Sequence, residues 1–203
     1  MEQKRILLER YFDNICHHTQ HAYPLILAIL QQNHHDVKDA IRNRKKLGLH
    51  GVNFELANRK TPMQLAIENA SEDNDLIVNI LIRAGFDLSD RNDEYATPLI
   101  EQAKHNRSVW SFLDFGAKIN DMDIHGHTAL HHAINCQNEQ SCDDILVFGH
   151  DKGLDIHLAG LGNISAIELA MQMKGTPGAD LVLKHAYDLG MLDAEDMKEL
   201  ARG

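Results

Sequence analysis

Residues 97–120 read TPLIEQAKHNRSVWSFLDFGAKIN, and this stretch decides the fold. Thr97 offers a side-chain oxygen to the free amides of a helix start, and Pro98 sits where its missing N–H does little harm. After the apolar run VWSFLDF, Gly116 lets the chain leave a second helix. The segment predicts a short helix, a second short helix and a turned exit.

The same unit recurs. YPLILA begins at Tyr23, TPMQLA at Thr61, TALHHA at Thr128 and SAIELA at Ser165, so with Thr97 the five starts are separated by 38, 36, 31 and 37 residues. Met63, Ala66 and Ile67 after Thr61, and Leu130, Ala133 and Ile134 after Thr128, give each first helix an apolar stripe. Leu76, Ile77, Ile80 and Leu81 do the same for a second helix that Gly85 ends. Gly85, Gly116 and Gly153 each stand twelve residues before the next Thr or Ser start, and this constant phase separates a repeat from a chance motif.

In these residues the sequence resembles the ankyrin-repeat family: TPMQLA through AGFDLS, TPLIEQA through FGAKIN, and TALHHA through KGLDIH follow its helix, helix and exit pattern. The resemblance covers Tyr23 to Leu189 as five cycles and is strongest in the middle ones. At the ends Tyr23 replaces Thr, RKKLGLHGVN adds residues, and Ser165-Ala166 replaces Thr-Pro without a clear exit after Leu189. It implies an all-α repeat fold, an ankyrin-repeat solenoid of stacked antiparallel helix pairs with projecting turns, in which neighbouring pairs share the core that one pair cannot make. The expected organisation is an amino-terminal helix or cap over 1–22, a single domain of about five repeats over 23–189, and a carboxy-terminal cap or tail over 190–203.

Composition agrees. With 203 residues and 43% hydrophobic content the chain can build a substantial core, and 5% aromatic content makes that core aliphatic. Cys16, Cys136 and Cys142 are too few and odd in number for a disulfide framework, which points to a reducing compartment. MEQKRILLERYFDNICHH lacks the apolar region of an export signal, and no apolar run has the length to cross a bilayer. A soluble, cytoplasmic protein without membrane insertion is expected. Residues 1–60 carry a charge of +4 and 61–203 carry -14, an acidic majority that disfavours nucleic acid. Lys38, Arg42, Lys45 and Lys46 then read as a solvated helix face beside Asp36 and Asp39.

The resemblance implies a noncatalytic protein–protein interaction module, an adaptor or targeting protein, that takes a protein or peptide ligand on its turns and the inner edge of its first helices. The matching positions are Asn58, Lys60, Glu68 and Asn69; Asp93, Glu94, Lys104 and His105; Ile124, His125, His127, Asn135 and Cys136; and Leu161, Ile164, Gln172 and Met173. Ile124, Leu161 and Ile164 offer apolar anchors or turn-to-turn packing. Two alternatives stand beside this one: a secreted bacterial effector that binds a host protein in the host cytoplasm, and an unrecognised Cys/His enzyme.

The enzyme alternative rests on HGHTALHHAIN at His125–Asn135. His132 and Cys136 are four apart and can share a helix face, but His131 points about 100° away and Cys142 lies beyond the helix. The family pattern gives His131 the task of tying the helix start to neighbouring backbone, and it leaves His125 and His127 in the exposed turn. There is no His-Glu-x-x-His pair, no nucleophile elbow around Ser108, Ser141 or Ser165, and no Gly-Lys-Ser/Thr after GLGNIS. No catalytic residue, metal or cofactor is expected. The family also includes exit-turn asparagines that are hydroxylated, and Asn53 and Asn120 match that position.

Overall fold

The computed structural model describes residues 23–46, 60–70, 75–105, 107–160, 162, 164–192, 194 and 196–198, the side chains of Lys45 and Lys46 aside. The expected amino-terminal cap, Asn53, Asn58 and Leu161 lie outside these residues, as does part of 190–203. The chain forms two compact units, Met1–Asp93 and Glu94–Gly203.

In the first unit the described helices are α1 (Tyr23–Leu30), α2 (His34–Lys46), α3 (Pro62–Asn69) and α4 (Leu76–Arg83). α1 packs on α2 and α3, and α4 packs on α2 and α3, so two helix pairs lie side by side. Leu25, Ile26, Ile29, Leu65, Ile67 and Leu81 are fully buried between them. Each such side chain contributes roughly 1.5–3 kcal/mol relative to exposure.

The second unit holds α5 (Pro98–Ala103), α6 (Trp110–Asp114), α7 (Ala129–Asn135), α8 (Glu139–Gly149), a 3-10 turn at His150–Lys152, α9 (Ala166–Gln172) and α10 (Pro177–Asp188). First helices stack on first helices, α5 on α7 and α7 on α9, while second helices stack on second helices, α6 on α8 and α8 on α10. Phe112 is the largest fully buried side chain described, and Leu99, Ile100, Leu113, Leu130, Ile145 and Leu146 are buried with it in the core of this unit. An aliphatic core is the consequence of the low aromatic content.

The helix starts work as the sequence predicts. The Thr61 amide donates to Gln64 Oε1 at 2.9 Å while Thr61 Oγ1 accepts from the Gln64 amide at 3.3 Å. Ser165 and Glu168 close the same box, with the Ser165 amide 2.7 Å from Glu168 Oε2. Thr97 Oγ1 accepts from the Ile100 amide. Each box satisfies two amides that a helix start otherwise leaves without partners. At the exits, Gly116 and Gly153 adopt φ of 89° and 75°, the left-handed region that a side chain would strain. The connections are turns; among the described residues β pairing is confined to a lone antiparallel bridge between Ala159 and Ser165.

Candidate functional site

The turn before α7 is fixed by one buried side chain, Asp123. Its Oδ1 accepts the amides of His125 and His127, each at 2.9 Å, and its carbonyl accepts the Gly126 amide at 3.0 Å. The Ile124 amide donates to the Glu94 carbonyl at 2.8 Å, which ties the turn to the preceding connection. The main chain is held on both sides, yet the Ile124 side chain is 53% exposed.

Two adjacent histidines enter from α7 with different partners. The Thr128 amide can only donate, and it donates to His131 Nδ1 at 3.2 Å. The neutral ring then carries its hydrogen on Nε2, which donates to the Ile164 carbonyl at 3.1 Å. His132 Nε2 lies 2.7 Å from Asp123 Oδ2 and joins helix to turn through the second carboxylate oxygen. The His127 ring stacks on His131 at 5.5 Å, lies edge-on to His132 at 5.5 Å, and is 6.2 Å from His125.

The charges around this cluster are arranged in opposition. Burial holds the pKa of His131 below that of free histidine, and the bond to Ile164 does not restore it. Burial lowers His132 too, against the pull of Asp123 and with help from nearby Lys104. For Asp123, burial opposes ionisation, but the His127 amide, the His132 ring and the His125 amide outweigh it and keep the carboxyl below its usual value. Lys104 is itself desolvated, and hydrogen bonds to Glu101 and Glu94, at 2.8 and 2.9 Å, more than offset that penalty and raise its pKa.

The positions expected from the sequence to face a partner separate into occupied and open groups. In the first unit Lys60 clasps Glu68 across α3, Asn69 donates to the Leu65 carbonyl at 2.8 Å, and Asp93 is exposed. In the second unit Glu94 and Lys104 pair, and His105 is half-buried with its carbonyl turned toward Asn138. Ile124, His125, Asn135, Cys136, Ile164 and Gln172 are exposed, while His127 and Met173 are half-buried. The structure thus gathers Ile124, His125 and His127 on one turn, and the Ile164 carbonyl is bound to His131 beneath it.

The donor set weighed for metal or thiol chemistry does not converge. Both ring nitrogens of His131 are engaged, Cys136 is exposed, and Cys142 is fully buried with its thiol pushed up to about 12 by burial and by nearby Glu139 and Asp143. A thiol so held is a core residue, not a nucleophile. Sequence reading missed Asp123. Its position five residues before Thr128 and nine before His132 was the available signal, but the turn that folds it back onto α7 had to be seen.

The two neighbouring turns touch through glycine. A Cβ at Gly160 would collide with the Gly126 main chain, whereas one at Gly162 meets open space. Gly160→Ala is expected to force the turns apart and lower stability by about 1–3 kcal/mol. Gly162→Ala should change it by less than about 0.5 kcal/mol. Urea midpoints at unchanged slope check both.

A family model for ankyrin repeats in three copies matches residues 69–159. The crystal structure of the ankyrin repeat domain of Bcl-3, described as a unique member of the IkappaB protein family, is similar with a TM-score of 0.68 and 22% identity. That similarity covers 80% of this chain and 71% of the other, and at such identity it speaks for the fold alone. Ankyrin repeats are protein-interaction modules that bind protein partners. Among the described residues no helix is long and apolar enough to cross a membrane. Repeat phase and helix pairing agree with the matched segment: residues 69–159 match the ankyrin-repeat model, and the chain has the fold of an ankyrin-repeat solenoid.

Proposed function

We propose that the protein is a noncatalytic adaptor or targeting module that recognises a protein partner with the turn edge of its second unit. The observation that carries this reading is Ile124, an exposed apolar side chain on a turn whose main chain is already fixed by Asp123 and Glu94. Such a side chain loses little conformational freedom on binding, so more of its burial appears as affinity. Ile164, 38% exposed beside the next helix start, offers a second apolar contact, and His125 and Gln172 supply polar groups.

The test is capture of a partner from native extract of the producing organism, followed by affinity measurement with Ile124→Asp and Ile164→Asp. Each substitution should weaken binding at least tenfold, about 1.4 kcal/mol, while unfolding midpoints stay within error. Unchanged affinity in both folded variants would remove this surface from the recognition role.

A further inference from the structure

We propose that Asp123, His127 and His132 form a binding site for a divalent transition-metal ion of the zinc class. One carboxylate oxygen and one ring nitrogen from each histidine lie within 4.8 Å of one another. Zinc bonds of about 2.0–2.2 Å place tetrahedral donors roughly 3.3–3.5 Å apart, so the site closes by a side-chain movement of about 1 Å. Two imidazoles and a carboxylate suit zinc, cobalt or nickel and do not suit calcium or magnesium, which take oxygen.

The parts of the site differ in how they are held. Asp123 Oδ1 is committed to the amides of His125 and His127, which orients the carboxylate and leaves Oδ2 facing the rings. Oδ2 and His132 Nε2 are already 2.7 Å apart and share one hydrogen. A metal ion takes the place of that hydrogen: Nε2 gives up its proton, the neutral ring carries one on Nδ1, and both atoms become ligands. Among the described residues no hydrogen bond holds the ring nitrogens of His127, which is half-buried at the turn between the rings of His131 and His132, so the closing movement breaks none.

Turn closure alone does not account for this set. Closing the turn requires Oδ1, and the helix start requires His131, yet Oδ2, His127 and His132 converge in addition. Lys104 lies near enough to act on His132, but Glu94 and Glu101 bind its ammonium group and offset its charge. Three protein ligands leave a fourth position for water or for a donor brought by another molecule.

The experiment titrates the full chain, stripped with chelator, with Zn2+ by calorimetry and with Co2+ by visible absorption. Expected are micromolar or tighter binding, cobalt bands of a low-symmetry four-coordinate ion, and loss of at least tenfold in affinity in His127→Gln and in His132→Gln. Asp123→Asn should lose binding while its remaining oxygen still accepts the turn amides, and His150→Gln, on the exposed 3-10 turn, should bind as the parent does. Circular dichroism confirms that each variant is folded. Wild-type binding weaker than micromolar overturns the proposal. So does binding unchanged in a folded His127→Gln/His132→Gln double variant, which would place the ion on other histidines such as His17, His18 and His21.

Discussion

His131→Ala lowers the unfolding free energy of the second unit by about 2–4 kcal/mol, through the lost ring volume and two broken buried hydrogen bonds. The ring is 1% exposed and spans two repeats: Nδ1 accepts the Thr128 amide of its own helix start, and Nε2 reaches the Ile164 carbonyl of the next. Gln64 shows which half of this a glutamine can replace. It stands three residues after Thr61 as His131 stands after Thr128, and it accepts the Thr61 amide, but its buried Nε2 has no hydrogen-bond partner among the described residues. His131→Gln therefore keeps the box, loses the strut and costs about half as much. The single tryptophan, Trp110, lies in α6 of this unit, so urea unfolding followed by its fluorescence reads the effect directly. An equal loss in both variants would show that the bridge to Ile164 contributes nothing. The pH dependence supplies a second readout. Burial depresses the folded-state pKa of His131, so the unfolded chain binds more protons. The stabilisation is full above about pH 6.5, the unfolded value, and is lost as pH falls from there through the folded-state value. His132 shifts in the same direction, so His131→Ala makes the acid slope shallower without abolishing it.

What the sequence reveals here is what depends on local chemistry. Thr61, Thr97, Thr128 and Ser165 start helices because their own third neighbours need a partner, and Gly116 and Gly153 end them because only φ above zero turns the chain there. His131 and His132 are adjacent, and helical phase alone sends one to the next repeat and the other back to the turn. The bonds that join repeats were not legible. Asn120 donates to the Gly153 carbonyl and accepts from the Asp155 amide, Ser141 donates to the Arg107 carbonyl, and His131 reaches Ile164, all at separations of 33 to 35 residues. Each pairing depends on how many residues the intervening connection inserts. Starts spaced 36, 31 and 37 apart give no fixed offset from which to read such partners. The same reason hid Asp123 from any reading of HGHTALHHAIN: it precedes the quoted run and meets His132 only after the turn closes. Asn120, which matches a hydroxylated position by resemblance, has its side chain committed to the neighbouring exit turn.

Asp144→Ala is expected to cost about 3 kcal/mol or more, because this one carboxylate starts a helix in the preceding repeat. α6 begins at Trp110 after Val109, a residue that has no side-chain oxygen to cap it. Asp144, from α8, takes over: Oδ2 accepts the Ser108 hydroxyl at 2.5 Å, the Val109 amide at 2.8 Å and the Trp110 amide at 3.1 Å, while Oδ1 accepts from Gln140 at 3.1 Å. The carboxylate also sits at the positive end of α6. Alanine leaves the Val109 and Trp110 amides without that acceptor, and Val109 is fully buried, so water reaches the gap poorly. Asparagine can keep its oxygen toward the two amides and, once the Gln140 amide flips to accept its NH2 through Oε1, lose chiefly the charge, at a cost of about 1 kcal/mol. The difference between the two variants isolates the acceptor from the shape of the side chain. Trp110 again serves as probe: the hydrogen-exchange rate of its amide and its fluorescence should both change in Asp144→Ala before the remaining helices unfold. Protection of the Val109 and Trp110 amides that is equal in Asp144→Ala and the parent would show that α6 is capped by its own loop, and the role assigned to Asp144 would fall.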